Sequence, residues 1–167
     1  MERKDFIRLG LIGTFGLQVI PVIGSKRSKS FEENVSLQTI KEFVVAGHSN
    51  LSKVKVMLKS LPNLIYCRHD WGGGDFEEAI EGAGHVGNKK IAEYLINEGA
   101  RVNLFVLAML GKTEIVKTTL EQFPNLLHAK GAHGFTLLHH AKAGGKESEE
   151  IYNYLIEKGL TESKYNI

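Results

Sequence analysis

Gly111-Lys-Thr-Glu-Ile115-Val116-Lys-Thr-Thr-Leu120-Glu-Gln-Phe123-Pro124-Asn125-Leu126-Leu127-His128 decides the fold together with the adjoining run Ala-Lys-Gly131-Ala-His133-Gly134-Phe135-Thr136-Leu137-Leu138-His139-His140-Ala141. Ile115, Val116, Leu120 and Phe123 recur at helical spacing, which predicts an amphipathic helix with one buried face. Pro124 stops that helix, because its ring cannot continue the backbone hydrogen-bond ladder. Gly131 and Gly134 permit a tight turn, after which Thr136 can cap a second helix with Leu137, Leu138 and Ala141 as its apolar stripe.

The same grammar recurs along the chain. Leu61-Pro62-Asn63-Leu64 stands 62 residues before Phe123-Pro124-Asn125-Leu126. Gly99 closes the run Ile91–Ile96, and Gly159 closes Ile151–Ile156 60 residues later. Inter-helix turns are expected at Gly47, Gly87, Gly111 and Gly145, a mean spacing of about 33 residues. In these features the chain resembles the ankyrin repeats. Thr136-Leu137-Leu138-His139 stands where those repeats carry T-P-L-H, and Gly47-His48 and Gly87-Asn88 match their inter-helix turn. Gly99-Ala100-Arg101-Val102-Asn103 is similar to the G-A-x-V-N that ends a repeat. The resemblance covers residues 36–160. It implies an all-α solenoid of about four helix-turn-helix repeats with finger loops. It also implies hydrogen bonding of His139 along the stack, and a module that grips a protein partner with its fingers and concave face.

Composition fits one domain with a buried core, since the chain has 167 residues and 43% of them are apolar. The net charge of +2 is not segregated, so no nucleic-acid footprint is visible. Cys67 is the only cysteine, which excludes an intramolecular disulfide.

Met1 to Arg8 is charged, whereas Leu9 to Gly24 is apolar, uncharged and interrupted by Gly10, Gly13, Gly16 and Pro21. This reads as an export signal or N-terminal anchor over 1–25, too short and glycine-rich for a comfortable membrane span. Arg3-Lys4-Asp5-Phe6-Ile7-Arg8 resembles the twin-arginine export motif R-R-x-F-L-K, with lysine in place of the second arginine. That departure leaves the route open. The expected location is the periplasm, or the cytoplasm if this segment is a docked helix instead of a signal. Residues 26–35 read as a linker.

Helices are expected near 36–46, 51–61, 76–84 and 88–98, with Val54, Met57, Leu58 and Leu61 turned inward. Asp75 and Glu78 make a D-x-x-E form of the capping box, which starts the third of these. Leu104 to Leu110 is apolar on all sides and is expected to lie between neighbours. The third repeat lacks a finger at 100–103, so a notch is expected between the fingers at 66–75 and 128–135. The last repeat carries a two-residue insertion around Gly145–Ser148, and 161–167 is a short polar tail.

Chemistry-bearing motifs are few. Gly82-Ala83-Gly84-His85-Val86-Gly87 fits G-x-G-x-x-G, but the preceding Phe76–Glu81 is helical in pattern, and the nucleotide-binding motif needs a strand there. The seven histidines form no H-x-x-x-H pair, and Cys67 has no C-x-x-C partner, so no metal and no cofactor is expected. Glu77 and Glu81 are expected to share a helical face, as a solvated or ligand-facing patch. No nucleophile elbow or phosphate loop occurs, and no catalytic residue is assigned.

The residues expected to meet a protein partner are Tyr66, Arg68, His69, Trp71, Glu77, Glu81, His128 and His133. Trp71, beside Gly72-Gly73-Gly74, is either a plug at the finger base or an exposed anchor. Two other functions stay open: a small exported metal- or ligand-handling enzyme using loop histidines and carboxylates, and an inhibitor or immunity-type partner of a secreted enzyme.

Overall fold

The computed structural model describes residues 35–167. The segment expected to direct export, 1–25, and residues 26–34 of the linker lie outside the described residues. The described chain is mostly helical, with eight α-helices and one two-stranded hairpin. Among the described residues, no helix is long and apolar enough to cross a membrane.

Short polar side chains start most of the helices. The Ser36 hydroxyl accepts the Thr39 N–H at 3.0 Å and opens α1 (Leu37–Ser49), which satisfies one of the donors that a helix start leaves unpaired. Asn50 does the same for α2 (Leu51–Ser60), Asn88 for α4 (Lys89–Asn97) and Asn103 for α5 (Leu104–Met109). Thr136 caps α7 (Leu137–Ala143). Pro62 and Pro124 lie just beyond α2 and α6 (Thr113–Gln122), and each opens a 3-10 turn, Pro62–Tyr66 and Pro124–His128. The segment Gly145–Ser148 is another 3-10 turn, leading into α8 (Glu149–Glu157). Its buried Ser148 hydroxyl donates to the Met109 carbonyl at 2.8 Å, so this turn is docked.

Consecutive helices pack in pairs: α1 with α2, α3 (Ala79–His85) with α4, α5 with α6, and α7 with α8. The first helix of each pair also lies against the first helix of the next. Two apolar clusters result. Phe43, Val54, Leu64, Ile80, Ile91 and Leu95 centre the first, while Leu120, Leu137, Ile151, Leu155 and Leu160 centre the second. α5 is their common wall, giving Val106 and Met109 to the first and Ala108 to the second. An apolar helix of only six residues persists because both of its flanks are covered.

Two expectations need correction. Gly47 is not a turn: it lies inside α1, where a Cβ would run into the Ala79 carbonyl, so its job is close approach to α3. The helix expected from 76 starts three residues later, because Phe76–Glu78 (β2) pairs antiparallel with Arg68–Asp70 (β1). The Glu81 carboxylate then accepts the Glu78 N–H at 2.7 Å, which sets the helix start at Glu78 instead of Asp75. The tail at 161–167 is tied to the rest of the chain, since Thr136 donates to the Ser163 and Glu162 carbonyls and Tyr165 donates to the Gly134 carbonyl.

Between β1 and β2 the chain turns through Gly72, Gly73 and Gly74, at φ of 109°, 66° and 88°. Three successive left-handed residues demand glycine, since a Cβ would be strained at each. Asp70 accepts the Gly72 N–H at 2.8 Å and closes the turn.

Candidate functional site

The hairpin register puts Glu77 opposite His69 and turns its side chain into the protein, where it is fully buried. Four side chains surround that carboxylate. Trp71 Nε1–H donates to Oε2 at 2.8 Å. His48 Nε2 and His85 Nδ1 lie 3.3 and 3.2 Å from Oε1, and His133 Nε2 lies 3.5 Å from Oε2. His48 comes from the last turn of α1, His85 from the last turn of α3, and His133 from the loop before α7.

Two of these rings, His48 and His133, are oriented from behind by hydrogen bonds. His48 Nδ1–H donates to the Val44 carbonyl one turn earlier, at 3.1 Å. His133 donates to Asp75 twice, from its backbone N–H at 2.8 Å and from Nδ1 at 2.7 Å. The backbone of His133 is left-handed, at φ 58°, the one non-glycine residue so placed among the described residues. Its two bonds to Asp75 offset the strain of that conformation. Gly82 makes room for His48, since a Cβ there would stand 2.7 Å from the ring and 3.3 Å from Glu77 Oε1.

The electrostatics are uneven. Glu77 beside it raises the His48 pKa, with burial opposing, whereas burial pushes His85 down to about 4. Glu77 Oε1 and His85 Nδ1 approach each other without aligned donor geometry, and neither has a hydrogen-bond partner despite being buried. A buried carboxylate oxygen without a donor is costly, on the order of 1–3 kcal/mol or more.

A second feature lies on the other side of the hairpin. A groove of about 520 Å³ runs between the hairpin and the 130–132 segment, with Asn103 and Phe105 at its base and Arg68, Phe76 and Glu81 along it. Its acids are engaged within the protein. Glu81 accepts from Asn103 Nδ2 at 2.7 Å and faces the Arg68 guanidinium at 3.7 Å, while Asp75 is taken by His133. Arg68 also reaches Glu78 at 3.3 Å yet remains half exposed, and burial raises the pKa of both glutamates. Phe76 is 48% exposed.

The eight residues expected at a partner surface therefore divide. Arg68 and Glu81 line the groove. Tyr66 and His128 are exposed elsewhere: Tyr66 lies beneath the Arg101 guanidinium, and His128 Nδ1 is 3.1 Å from the Tyr165 hydroxyl. His69 packs edge-on against Trp71, their rings 4.5 Å apart. Trp71 is neither plug nor free anchor, because it is 37% exposed and its N–H is committed to Glu77. Glu77 itself is withdrawn from any surface and does not share a helical face with Glu81, because it belongs to β2. His133 is turned inward to Asp75 and Glu77. The fingers also meet, through Asp75 and His133, instead of standing apart across an open notch. His139 stacks on Phe135, the ring centroids 4.0 Å apart, and its Nε2–H donates to the His85 carbonyl at 2.9 Å.

Nothing in the sequence selected His48, His85, Phe76, Asn103 or Phe105 as site residues. No spacing marks them, because they converge from separate elements.

No family model matches the chain. Over 82 residues the chain is 37% identical to alpha-latrocrustotoxin-Lt1a of Latrodectus tredecimguttatus, a stretch that is 44% of this chain and 6% of that protein. The chain thus spans a small fraction of the length of the curated relative it resembles.

Proposed function

We propose that this chain is an ankyrin-type protein-binding module that takes a projecting segment of a partner protein into the groove beside the hairpin. The repeat reading is supported by helices packed in four successive pairs and by left-handed glycines at 87, 111 and 145 between paired helices. One observation carries the binding reading. The groove has its own carboxylates satisfied from within, while the Arg68 guanidinium, paired with Glu78 and Glu81, and the Phe76 ring both stay about half exposed along it. That chemistry fits a segment presenting an acidic side chain next to an apolar one. Interfaces concentrate their energy in such arginine and aromatic anchors.

A photo-crosslinking residue at position 76 tests this. It should give one defined protein adduct, the same residue at position 121 on α6 should give none, and Arg68→Ala should weaken the isolated complex at least tenfold. Equal adducts from both positions would remove the groove as the site. The charged start and the uncharged glycine-rich run after it support export of the module. Fusing residues 1–30 to a reporter active only outside the cytoplasm tests export, and a silent reporter would overturn it.

A further inference from the structure

We propose that His48, Glu77, His85 and His133 bind one divalent transition-metal cation of the imidazole-preferring class, with zinc as its representative. Each offers one ligand atom, and the four atoms lie within 4.8 Å of one another. The metal site does not rest on the partner reading, although Asp75 borders both it and the groove.

Geometry is the first support. In a tetrahedral zinc site with bonds of about 2.0–2.1 Å, neighbouring ligand atoms stand about 3.3–3.4 Å apart. The His85 and His48 nitrogens stand 3.2 and 3.3 Å from Glu77 Oε1, while the nearest carboxylate atom to His133 Nε2 is Oε2, at 3.5 Å. All four ligand atoms lie within 4.8 Å of one another, so side-chain adjustment of up to about 1.5 Å would draw them around a single centre.

Tautomers are the second. His48 gives its Nδ1–H to the Val44 carbonyl, and His133 gives its Nδ1–H to Asp75. With those protons spoken for, Nε2 is the ring atom that each of these two histidines turns towards Glu77. Outer-sphere bonds of this kind, to a carbonyl or a carboxylate, are how metal-ligating histidines are held in place. An imidazole nitrogen facing a buried carboxylate needs either a proton or a metal cation between them. One proton shared by His48 and Glu77 would answer for one contact only. It leaves His85 Nδ1 and Glu77 Oε1 as they stand, buried and without hydrogen-bond partners.

Construction of the surroundings is the third. Gly82 leaves the space that the His48 ring occupies, and Trp71 holds Glu77 Oε2, which leaves Oε1 free to ligate. Asp75, in the outer sphere, brings the charge of a divalent cation with three neutral imidazoles and one carboxylate to zero. Nitrogen and oxygen donors without a thiolate suit zinc, nickel, copper or ferrous iron better than calcium or magnesium. Four protein ligands fill a tetrahedron, the arrangement of a structural site and not of a catalytic one. Such an ion would tie α1, the hairpin, α3 and the loop before α7 to one point.

The test uses the full chain, stripped with a chelator and titrated with zinc chloride by calorimetry, and with cobalt(II) followed by its visible absorption. The expected result is one equivalent bound, a tetrahedral cobalt spectrum and a raised melting temperature. His85→Gln and His133→Gln should each weaken zinc binding at least about tenfold, and Asp75→Asn, which removes no ligand, should do so by about tenfold. His128→Gln, on the exposed surface, should change nothing. Where a ligand variant fails to fold by circular dichroism, the Asp75→Asn titration decides. Absence of stoichiometric binding, or binding that survives Asp75→Asn and the ligand variants unchanged, would overturn the proposal.

Discussion

His133 donates to Asp75 twice, through its backbone N–H and through Nδ1, and so joins the hairpin to the loop that precedes α7. The two residues are 58 positions apart, and the connection between them at Ala100–Asn103 carries no finger. The bond pair closes what would otherwise be an opening between fingers, and it holds His133 in its left-handed backbone.

Asp75→Ala should loosen that junction. Hydrogen bonds to a charged group contribute about 1.5–3 kcal/mol each, and the two share one carboxylate, so a loss on the order of 2–3 kcal/mol is expected. Urea denaturation measures it, and amide exchange at residues 71–76 should rise along with it. A loss under about 0.5 kcal/mol, as for an ordinary surface change, would mean that the contact is not maintained in solution.

Trp71 should separate packing from hydrogen bonding. Trp71→Phe keeps an aromatic ring against His69 but removes the N–H that serves Glu77. An unsatisfied buried acceptor costs about 1–3 kcal/mol, so chelator-treated Trp71→Phe should be less stable by that amount. An unchanged unfolding midpoint would indicate that water replaces the indole at Glu77.

α5 allows a contrast between two apolar neighbours. Met109 is fully buried between the first cluster and the docked Ser148, whereas Leu107 is only partly covered. Met109→Ala should cost about 2–5 kcal/mol, as buried large-to-small changes do, and Leu107→Ala clearly less. Equal losses in chemical denaturation would show that α5 is enclosed alike on both sides.

His140 should make the fold acid-sensitive. Burial pushes its pKa down to about 4, against 6.5 for the free side chain, while its Nδ1–H stays bonded to the Thr136 carbonyl. Between those values the unfolded chain holds a proton that the folded chain refuses. Stability is therefore intact above about pH 6.5 and falls as the pH drops towards 4, by about 3 kcal/mol from this residue alone. His140→Gln should flatten that part of the pH profile in urea titrations. Parallel profiles for the two proteins would mean that His140 is protonated in place.

Much of this molecule was written in short runs of residues. The apolar periods of α2 and α6, the breaks at Pro62 and Pro124 and the Thr136 cap each depend on atoms within about one helical turn, so the chain order alone determines them. The all-apolar run at Leu104–Leu110 likewise announced a helix covered on both sides. The hairpin was hidden, because strands of three residues carry no measurable alternation and Phe76–Glu81 also satisfies a helical pattern. Once Phe76–Glu78 pairs with Arg68–Asp70, the register turns Glu77 inward, and a residue read as a surface acid becomes the most buried carboxylate among the described residues. His48, Glu77, His85 and His133 have no common spacing to read. Their meeting depends on how closely α1 approaches α3 and on how the hairpin folds back over both, and those distances arise from packing between elements that are far apart in the chain.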